Sequence, residues 1–404
     1  ILGMPEDALR IVPTGIGGGF GSKLDLSVQP YLAIAALKTG QPVRMAYSRP
    51  ESMMSTTKRH PAEIEMKIGA TRDGRISGIT FQGRFNTGAY ASWGPTVANR
   101  VPIHASGPYR VSDYRAEATG VHTHGPPAGA FRGFGVPQSA FAQESLMDDL
   151  ADKLGIDRLE IRIENALTNG VPTVCGQVFE TGVGIRECLE ALRPAWHAAR
   201  SETTAFNAAS AGTKRGVGVA AGWYGCGNTS MPNPSTIKAG LRGDGSLVLH
   251  QGAVDLGQGS NTVITQIFAE AFGVPVEAVS RIGADTDVTP DAGKTSASRQ
   301  TFVSGNAARL TGLALRRKLL TFVNAGLDAD ISVTPDGIIV RDAGVAHRVD
   351  LSGLAPDPEG YVLLAQETYD PPTEPLDVNG QGAPYAQYGY AAHLAVVEVD
   401  LALG

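Results

Sequence analysis

The residues best suited to chemistry in this chain sit in four glycine-punctuated stretches, one of which runs Pro126-Pro127-Ala128-Gly129-Ala130-Phe131-Arg132-Gly133-Phe134-Gly135-Val136-Pro137-Gln138. Its prolines stop any regular element, and its glycines let the backbone turn and approach a bulky group closely. Arg132 offers a planar fork of donors to an oxyanion, with Phe131 and Phe134 as flat walls on either side. A loop that holds an anionic, ring-containing ligand has this composition. A surface loop with an incidental arginine has it too.

The second stretch is Gly15-Ile16-Gly17-Gly18-Gly19-Phe20-Gly21-Ser22-Lys23. It fails the Walker A spacing, because Ser22 separates Gly21 from Lys23 and Leu24 follows the lysine. It fails the dinucleotide fingerprint as well, since the last glycine position falls on Phe20 or Ser22. What remains is a glycine loop before a helix, whose backbone N–H groups suit an anion or oxo ligand; close packing of two backbones is the plainer alternative. The third stretch, Asp255-Leu256-Gly257-Gln258-Gly259, repeats that logic, with Gln258 able to read an amide-like ring edge or serve as a turn residue. The fourth, Thr295-Ser296-Ala297-Ser298-Arg299, gathers hydroxyls and a cation suited to phosphate, or to a solvated loop. His122 and His124 share a strand face but have no third ligand nearby in sequence, and His104 reads as structural. No Gly-x-Ser-x-Gly elbow supports a serine hydrolase.

The elements that must position these loops follow from periodicity. A short strand is expected at Leu9–Pro13, a helix at Val28–Lys38 and a strand at Val43–Tyr47. Strands 63–70 and 75–85 join at Asp73-Gly74, a hairpin signal. Residues 86–110 read as a long irregular loop, followed by a strand at 115–122. Helices follow at 138–154, from the Asp157 cap to Leu167, and at 184–199. The aperiodic polar stretch 201–214 reads as a linker between a first domain, 1–200, and a second, 215–404. In the second, strands 235–241, 246–251 and 279–282, helices 262–272 and 305–325, a hairpin about Asp336-Gly337 and a last strand at 389–400 are expected. Strand runs with separate helices give an α+β class of two domains with mixed sheets.

The bulk composition sets bounds. The chain has 404 residues, 42% hydrophobic and 18% charged, which suits a large core in two or three domains. A net charge of -6 and the lack of any basic run argue against nucleic acid. Three cysteines with no Cys-x-x-Cys pair make a zinc or iron–sulfur site from this chain alone improbable and fit a reducing, cytoplasmic compartment. No apolar run is long enough for a membrane span. Both ends read as cut from something longer, a helix end at Ile1–Glu6 and a strand at Val396–Leu401.

Taken in order, Gly17–Gly21, Gly129–Gln138, Gly257-Gln258-Gly259 before a helix, and Thr295–Arg299 resemble the molybdenum-binding subunit of the xanthine dehydrogenase/aldehyde oxidoreductase family, the molybdenum hydroxylases. The resemblance covers nearly the whole chain. It implies a molybdenum-pyranopterin cofactor, expected as molybdopterin cytosine dinucleotide, buried between the two domains. It implies hydroxylation of an N-heteroaromatic compound or oxidation of an aldehyde, with a glutamate as base. Electrons would pass to 2Fe-2S clusters and FAD on partner chains. Carried over by motif, Gly19, Phe20, Gly21, Arg132, Gly257, Gln258, Gly259, Thr295, Ser296, Ala297 and Ser298 would hold the cofactor. Of these, Phe20, Arg132 and Ala297 would lie against the metal by main chain or from behind its ligands. Phe134, Arg100 and Leu24 would meet the small-molecule substrate.

The chain departs from the family pattern in three ways. Purine oxidisers carry Glu where this chain has Leu24, which argues against xanthine itself. A glutamine loop expected before Ile1 is missing, and so is the Gly-x-x-Gly-Glu stretch that holds the base, expected beyond Gly404 and supplied by another chain or segment. No catalytic residue is therefore assigned within these 404 residues, and the piece alone is expected to be inactive. A cofactor-binding or storage protein without turnover is the alternative; an unrelated anion-binding enzyme is a third reading.

Overall fold

The computed structural model describes residues 2–334 and 337–404. By backbone contacts the chain forms two compact units, one of residues 20–225 with 373–404, the other of residues 1–19 with 226–372. Each contains a mixed sheet, as the sequence predicts.

The first unit begins with α1 (Gln29–Thr39) and α2 (Arg49–Ser55). The latter starts at a capping box, in which the Ser48 side chain accepts from the Glu51 N–H and the Glu51 carboxylate accepts from the Ser48 N–H. Strands β1 (Ala62–Ala70) and β2 (Ile76–Gly88) form the expected antiparallel hairpin, and β3 (Asp113–His122) adds to β2 in parallel. Alternation along β2 buries Ile79, Phe81 and Phe85 on one face. Helix α3 (Gly94–His104) lies between β2 and β3 in sequence. The expected irregular loop at 86–110 is thus half helix: Pro95 starts it, where a missing N–H costs nothing, and Val97, Val101 and Ile103 are buried.

Helix α4 (Val136–Leu154) leaves the Phe131–Gly135 loop and buries Val136, Ser139, Gln143, Met147 and Ala151, one stripe at helical spacing. The Asp157 carboxylate caps α5 (Arg158–Asn165) by accepting the Leu159 and Glu160 N–H groups, and it also accepts the Trp196 indole N–H at 2.9 Å. Helices α6 (Ile185–Ala191) and α7 (Arg193–Ala209) follow. The linker expected at 201–214 is not one. Its first nine residues extend α7, which buries Trp196 and Thr203, and its last two open β4 (Thr213–Gly225). The expected strands at Leu9–Pro13 and Val43–Tyr47 do not form either; Ile11 instead exchanges hydrogen bonds with Thr286.

The second unit holds β5 (Ser235–Leu241), β6 (Leu247–Gln251), α8 (Ser260–Phe272), β7 (Val279–Gly283), α9 (Gln300–Phe322), β8 (Asp330–Thr334), β9 (Gly337–Asp342), β10 (Val345–Val349) and β11 (Leu363–Tyr369). Its main sheet runs β11-β5-β6-β7, with β6 buried along its whole length. Helices α8 and α9 pack closely: a Cβ at Gly312 would stand 2.8 Å from Ala271 Cβ, so only glycine admits this approach. Asp336 of the expected hairpin lies outside the described residues; β8 and β9 pair antiparallel on either side. The chain then returns to the first unit, where β12 (Tyr388–Asp400) pairs with β4 along its full length. Among the described residues no helix is long and apolar enough to cross a membrane.

At the heart of the first unit lies a buried ion pair. The Glu144 carboxylate on α4 accepts Arg162 Nε at 2.7 Å, the Tyr109 hydroxyl at 2.7 Å and the Ala221 N–H of β4 at 3.1 Å. The Arg162 side chain is 0% exposed and also meets Asp148 at 2.8 Å. Removing Glu144 halves the carboxylate partners of Arg162 and leaves the Tyr109 hydroxyl and the Ala221 N–H without this acceptor, so Glu144→Ala should cost about 3–5 kcal/mol of stability, read by urea denaturation. A loss under about 1 kcal/mol, the range of exposed pairs, would refute this account.

Candidate functional site

The sequence-predicted residues fall into two sets, one in each unit. In the first unit, Phe20 and Gly21 lie against the Ala130–Phe134 loop, far away in sequence. The Arg132 N–H donates to the Phe20 carbonyl at 2.7 Å, and a Cβ at Gly21 would come within 2.8 Å of the Ala130 carbonyl. The glycine at this contact is therefore steric, set by the approach of two backbones. Phe20 and Phe134 both hold left-handed φ values, 52° and 51°, and Phe134 stands between Gly133 and Gly135, each at 92°. Non-glycine residues at such φ are strained and persist only where their surroundings fix them. The Arg132 guanidinium lies 5.9 Å from the centroid of the Phe20 ring.

Phe134 and Arg100 are brought together. Arg100, only 2% exposed, places its guanidinium carbon 5.3 Å from the centroid of Phe134, 4.8 Å from Tyr224 and 5.2 Å from Tyr385. Trp93 meets Phe134 edge-on at 6.4 Å. Below Arg100, one helical turn on, His104 Nε2 accepts the Gly225 N–H at 3.1 Å, which leaves Nδ1 as the protonated nitrogen facing the Arg100 carbonyl. The Leu24 N–H closes a turn on the Gly21 carbonyl. Tyr224 and Tyr385 carried no sequence motif. Only the fold places them at Arg100.

In the second unit the glycine run, the Gln258 loop and the Thr295–Arg299 loop converge. The Gly18 N–H donates to the Leu256 carbonyl, and a Cβ at Gly19 would strike Leu256 Cδ1 at 2.7 Å. Asp255 accepts the N–H groups of Gly257, Gly259 and Asn261, so a protein carboxylate satisfies donors at the start of α8. Burial pushes its carboxyl pKa up, but these three N–H groups outweigh it and the net shift is downward. Gln258 turns its amide into the loop, accepting the Leu256 N–H at 2.6 Å and donating to Ser260 at 3.0 Å.

Thr295 Oγ1 joins the Val254 backbone at 3.0 Å. Ala297 and Ser298, next to Ser296, are consecutive left-handed residues at 55° and 53°. Arg299 does not face outward as a phosphate cation would. Its buried guanidinium donates to the carbonyls of Ala292, Lys294, Asn233 and Pro234 and shapes the loop from inside. A cavity of about 580 Å³ opens beside these loops, lined by Thr14–Gly17, Ala253–Asp255, Gly257, Asn261, Arg281, Gly283 and Ala284. Cβ positions at Gly257 and Gly259 have nothing within 4 Å. A cavity of ligand size with open glycines, one cation, Arg281, and one carboxylate, Asp255, has room for a ring-bearing cofactor.

Two family models described as molybdopterin cofactor-binding domain match, one over residues 1–166 and the other over residues 190–404. The chain belongs to this family, that of the xanthine dehydrogenase and aldehyde oxidoreductase molybdenum-binding chains. Over 193 residues it is 46% identical to the nicotinate dehydrogenase large molybdopterin subunit of Eubacterium barkeri, covering 48% of this chain and 45% of that protein. Over 330 residues it is 37% identical to the xanthine dehydrogenase molybdenum-binding subunit of Escherichia coli O157:H7, covering 79% and 43%. The structure of aldehyde oxidoreductase from Desulfovibrio gigas superposes with a TM-score of 0.86 at 30% identity, over 100% of this chain and 42% of that one. The chain spans about half the length of the curated relatives it matches.

Two outcomes test the geometry of this family member directly. Burial, seconded by the Arg100 charge, holds the His104 pKa down to about 3 against an opposing contact with the Arg100 carbonyl. Above pH 6.5 the folded and unfolded chains both carry neutral His104. As pH falls further, only the unfolded chain takes the proton, and stability drops by about 1.4 kcal/mol per pH unit until about pH 3. Denaturation midpoints between pH 6.5 and 4 should fall less steeply in His104→Gln, by about one proton's slope. Separately, Gly21→Ala must push its own backbone away from that of Ala130 at a positive φ, so amide exchange at Arg132 should quicken about tenfold or more while that in α4 stays slow.

Proposed function

We propose that this chain holds the molybdenum-pterin cofactor of a molybdenum hydroxylase that oxidises an N-heteroaromatic compound or an aldehyde. The observation that carries this reading is the joining of the Phe20-Gly21 and Ala130–Gly135 motifs by the Arg132 N–H and the Phe20 carbonyl, in a chain of this family. When bound, the cofactor supplies two-electron redox chemistry that no side chain here can. By the family motifs, Gly19, Phe20, Gly21, Arg132, Gly257–Gly259 and Thr295–Ser298 would hold it. Ala297 would present main chain toward the metal. Because the Gln258 amide and the N–H groups of Gly257 and Gly259 are committed within their own loop, these glycines would contribute open space beside the backbone for the cofactor to approach.

Phe134 would stack on the ring of the substrate, and Arg100 would orient its polar edge from beneath the aromatic group. Leu24 offers no carboxylate for a purine edge, which favours a smaller or less polar ring than xanthine. The kinship with a nicotinate dehydrogenase subunit supports the heteroaromatic class. The general base is proposed to be a glutamate outside these 404 residues. The 2Fe-2S clusters and FAD would belong to other chains or segments, since three cysteines cannot bind a cluster through four thiolates. The cytosine dinucleotide form of the pterin and a cytoplasmic location complete the proposal.

The test is Phe134→Ala in the assembled enzyme. We expect molybdenum content to be retained and kcat/KM to fall about 10–100-fold, the scale of a lost ring contact at the reacting centre. Wild-type kcat/KM in this variant, or an assembled enzyme without molybdenum, would overturn the reading.

A further inference from the structure

The Ala130–Gly135 loop carries three consecutive left-handed residues and needs an external restraint. Phe20 supplies one, from one end of the Arg132 peptide. The other comes from Arg59, a residue that belongs to no motif. Its Nη2 donates to the Arg132 carbonyl at 2.6 Å, its Nη1 reaches Gln138 Oε1 at 3.4 Å, and its guanidinium carbon lies 4.6 Å from the centroid of the Phe131 ring. One planar group therefore touches the start of the loop, its middle, and the first turn of α4 beyond it.

Arg59 is itself held in register. Lys58 forms a parallel bridge with Ala128: the Lys58 N–H donates to the Pro127 carbonyl at 3.1 Å and the Gly129 N–H to the Lys58 carbonyl at 3.0 Å. On the other side, Gln138 Nε2 donates to the His60 carbonyl at 3.0 Å. The backbone of residues 58–60 is thus tied to the segments before and after the loop, and the side chain between them spans it. With its N–H on Phe20 and its carbonyl on Arg59, Arg132 cannot rotate its backbone without breaking one of the two bonds. That fixes the direction in which the next residues, Gly133 and Phe134, leave.

We propose that Arg59 is a positioning residue that locks the Arg132 main chain and so sets the orientation of Phe134. The inference rests on the substrate role proposed for Phe134 in the preceding section. Lysine cannot replace it, because a single ammonium cannot span a carbonyl, an amide and a ring face together.

The experiment compares Arg59→Ala and Arg59→Lys with wild type in the complete holoenzyme, by amide exchange across residues 131–135, molybdenum content, and kcat and KM. In both variants exchange in the loop should rise about tenfold or more, with slow exchange kept in α4. In both, kcat/KM should fall about tenfold or more. Added guanidinium at millimolar concentration should restore some of the loss in Arg59→Ala and none in Arg59→Lys, where the ammonium fills the place; a merely structural defect would not respond. If Arg59→Ala fails to fold, Arg59→Lys, which keeps the stem and charge, carries the same comparison. Wild-type loop exchange and kcat/KM in a folded variant would refute the positioning role. Altered loop exchange with unchanged kcat/KM would instead sink the substrate role of Phe134 and leave the restraint standing.

Discussion

A carboxylate taken out of water is the constraint around which the first unit is arranged. Glu144 is nearly enclosed, and a buried charge is tolerated only where its lone pairs are satisfied. Its partners come from α5, from the loop that follows α3, and from β4, so one side chain on α4 demands a particular docking of three other segments. Helix α4 begins where the Phe134 loop ends, and a helix fixed at its centre offers a fixed end to the strained turn that precedes it.

Strain is distributed along this chain in a telling way. Phe20, Phe134, Ala297 and Ser298 are non-glycine residues at left-handed φ, and all four lie in the loops that the sequence had marked for chemistry. Left-handed residues also occur elsewhere, as at Asn324 and Ala343, so the conformation alone identifies nothing. Its coincidence with the motif loops does carry weight, because strain of this kind persists where neighbouring structure over-determines it. In both units that over-determination is visible as side chains turned inward: Arg299 onto four carbonyls, Asp255 onto three N–H groups, Arg59 across a whole loop.

Much of this was legible in the sequence, for physical reasons that also explain the rest. The Asp73-Gly74 turn, the Asp157 cap and the stripe on α4 are local signals, and the structure follows them. Helix α3 was hidden because glycine, proline and serine around it read as loop, whereas burial of Val97, Val101 and Ile103 decides its state. The segments 9–13 and 43–47 have strand-like composition, but a strand needs an edge, which composition does not supply. The loops of the site announced themselves through glycine and aromatic residues. Their neighbours did not: Arg59 at the Phe134 loop, and Tyr224 and Tyr385 at Arg100, become visible only once the fold has brought distant segments together. Arg299 shows the reverse error, a cation in a promising loop whose charge is spent on the chain's own carbonyls.

The pairing of β4 with β12 bears on how this molecule is made. Strand β4 is synthesised well before its partner, and between them lies the whole of the other unit's residues 226–372. On the ribosome the first unit must therefore wait, with one long edge open, until that insertion has been produced. Such non-local closure slows folding and leaves a strand edge available for wrong partners in the interval. The Phe20-Gly21 and Ala130–Gly135 loops thus belong to a unit that closes only after residues 226–372 have been made.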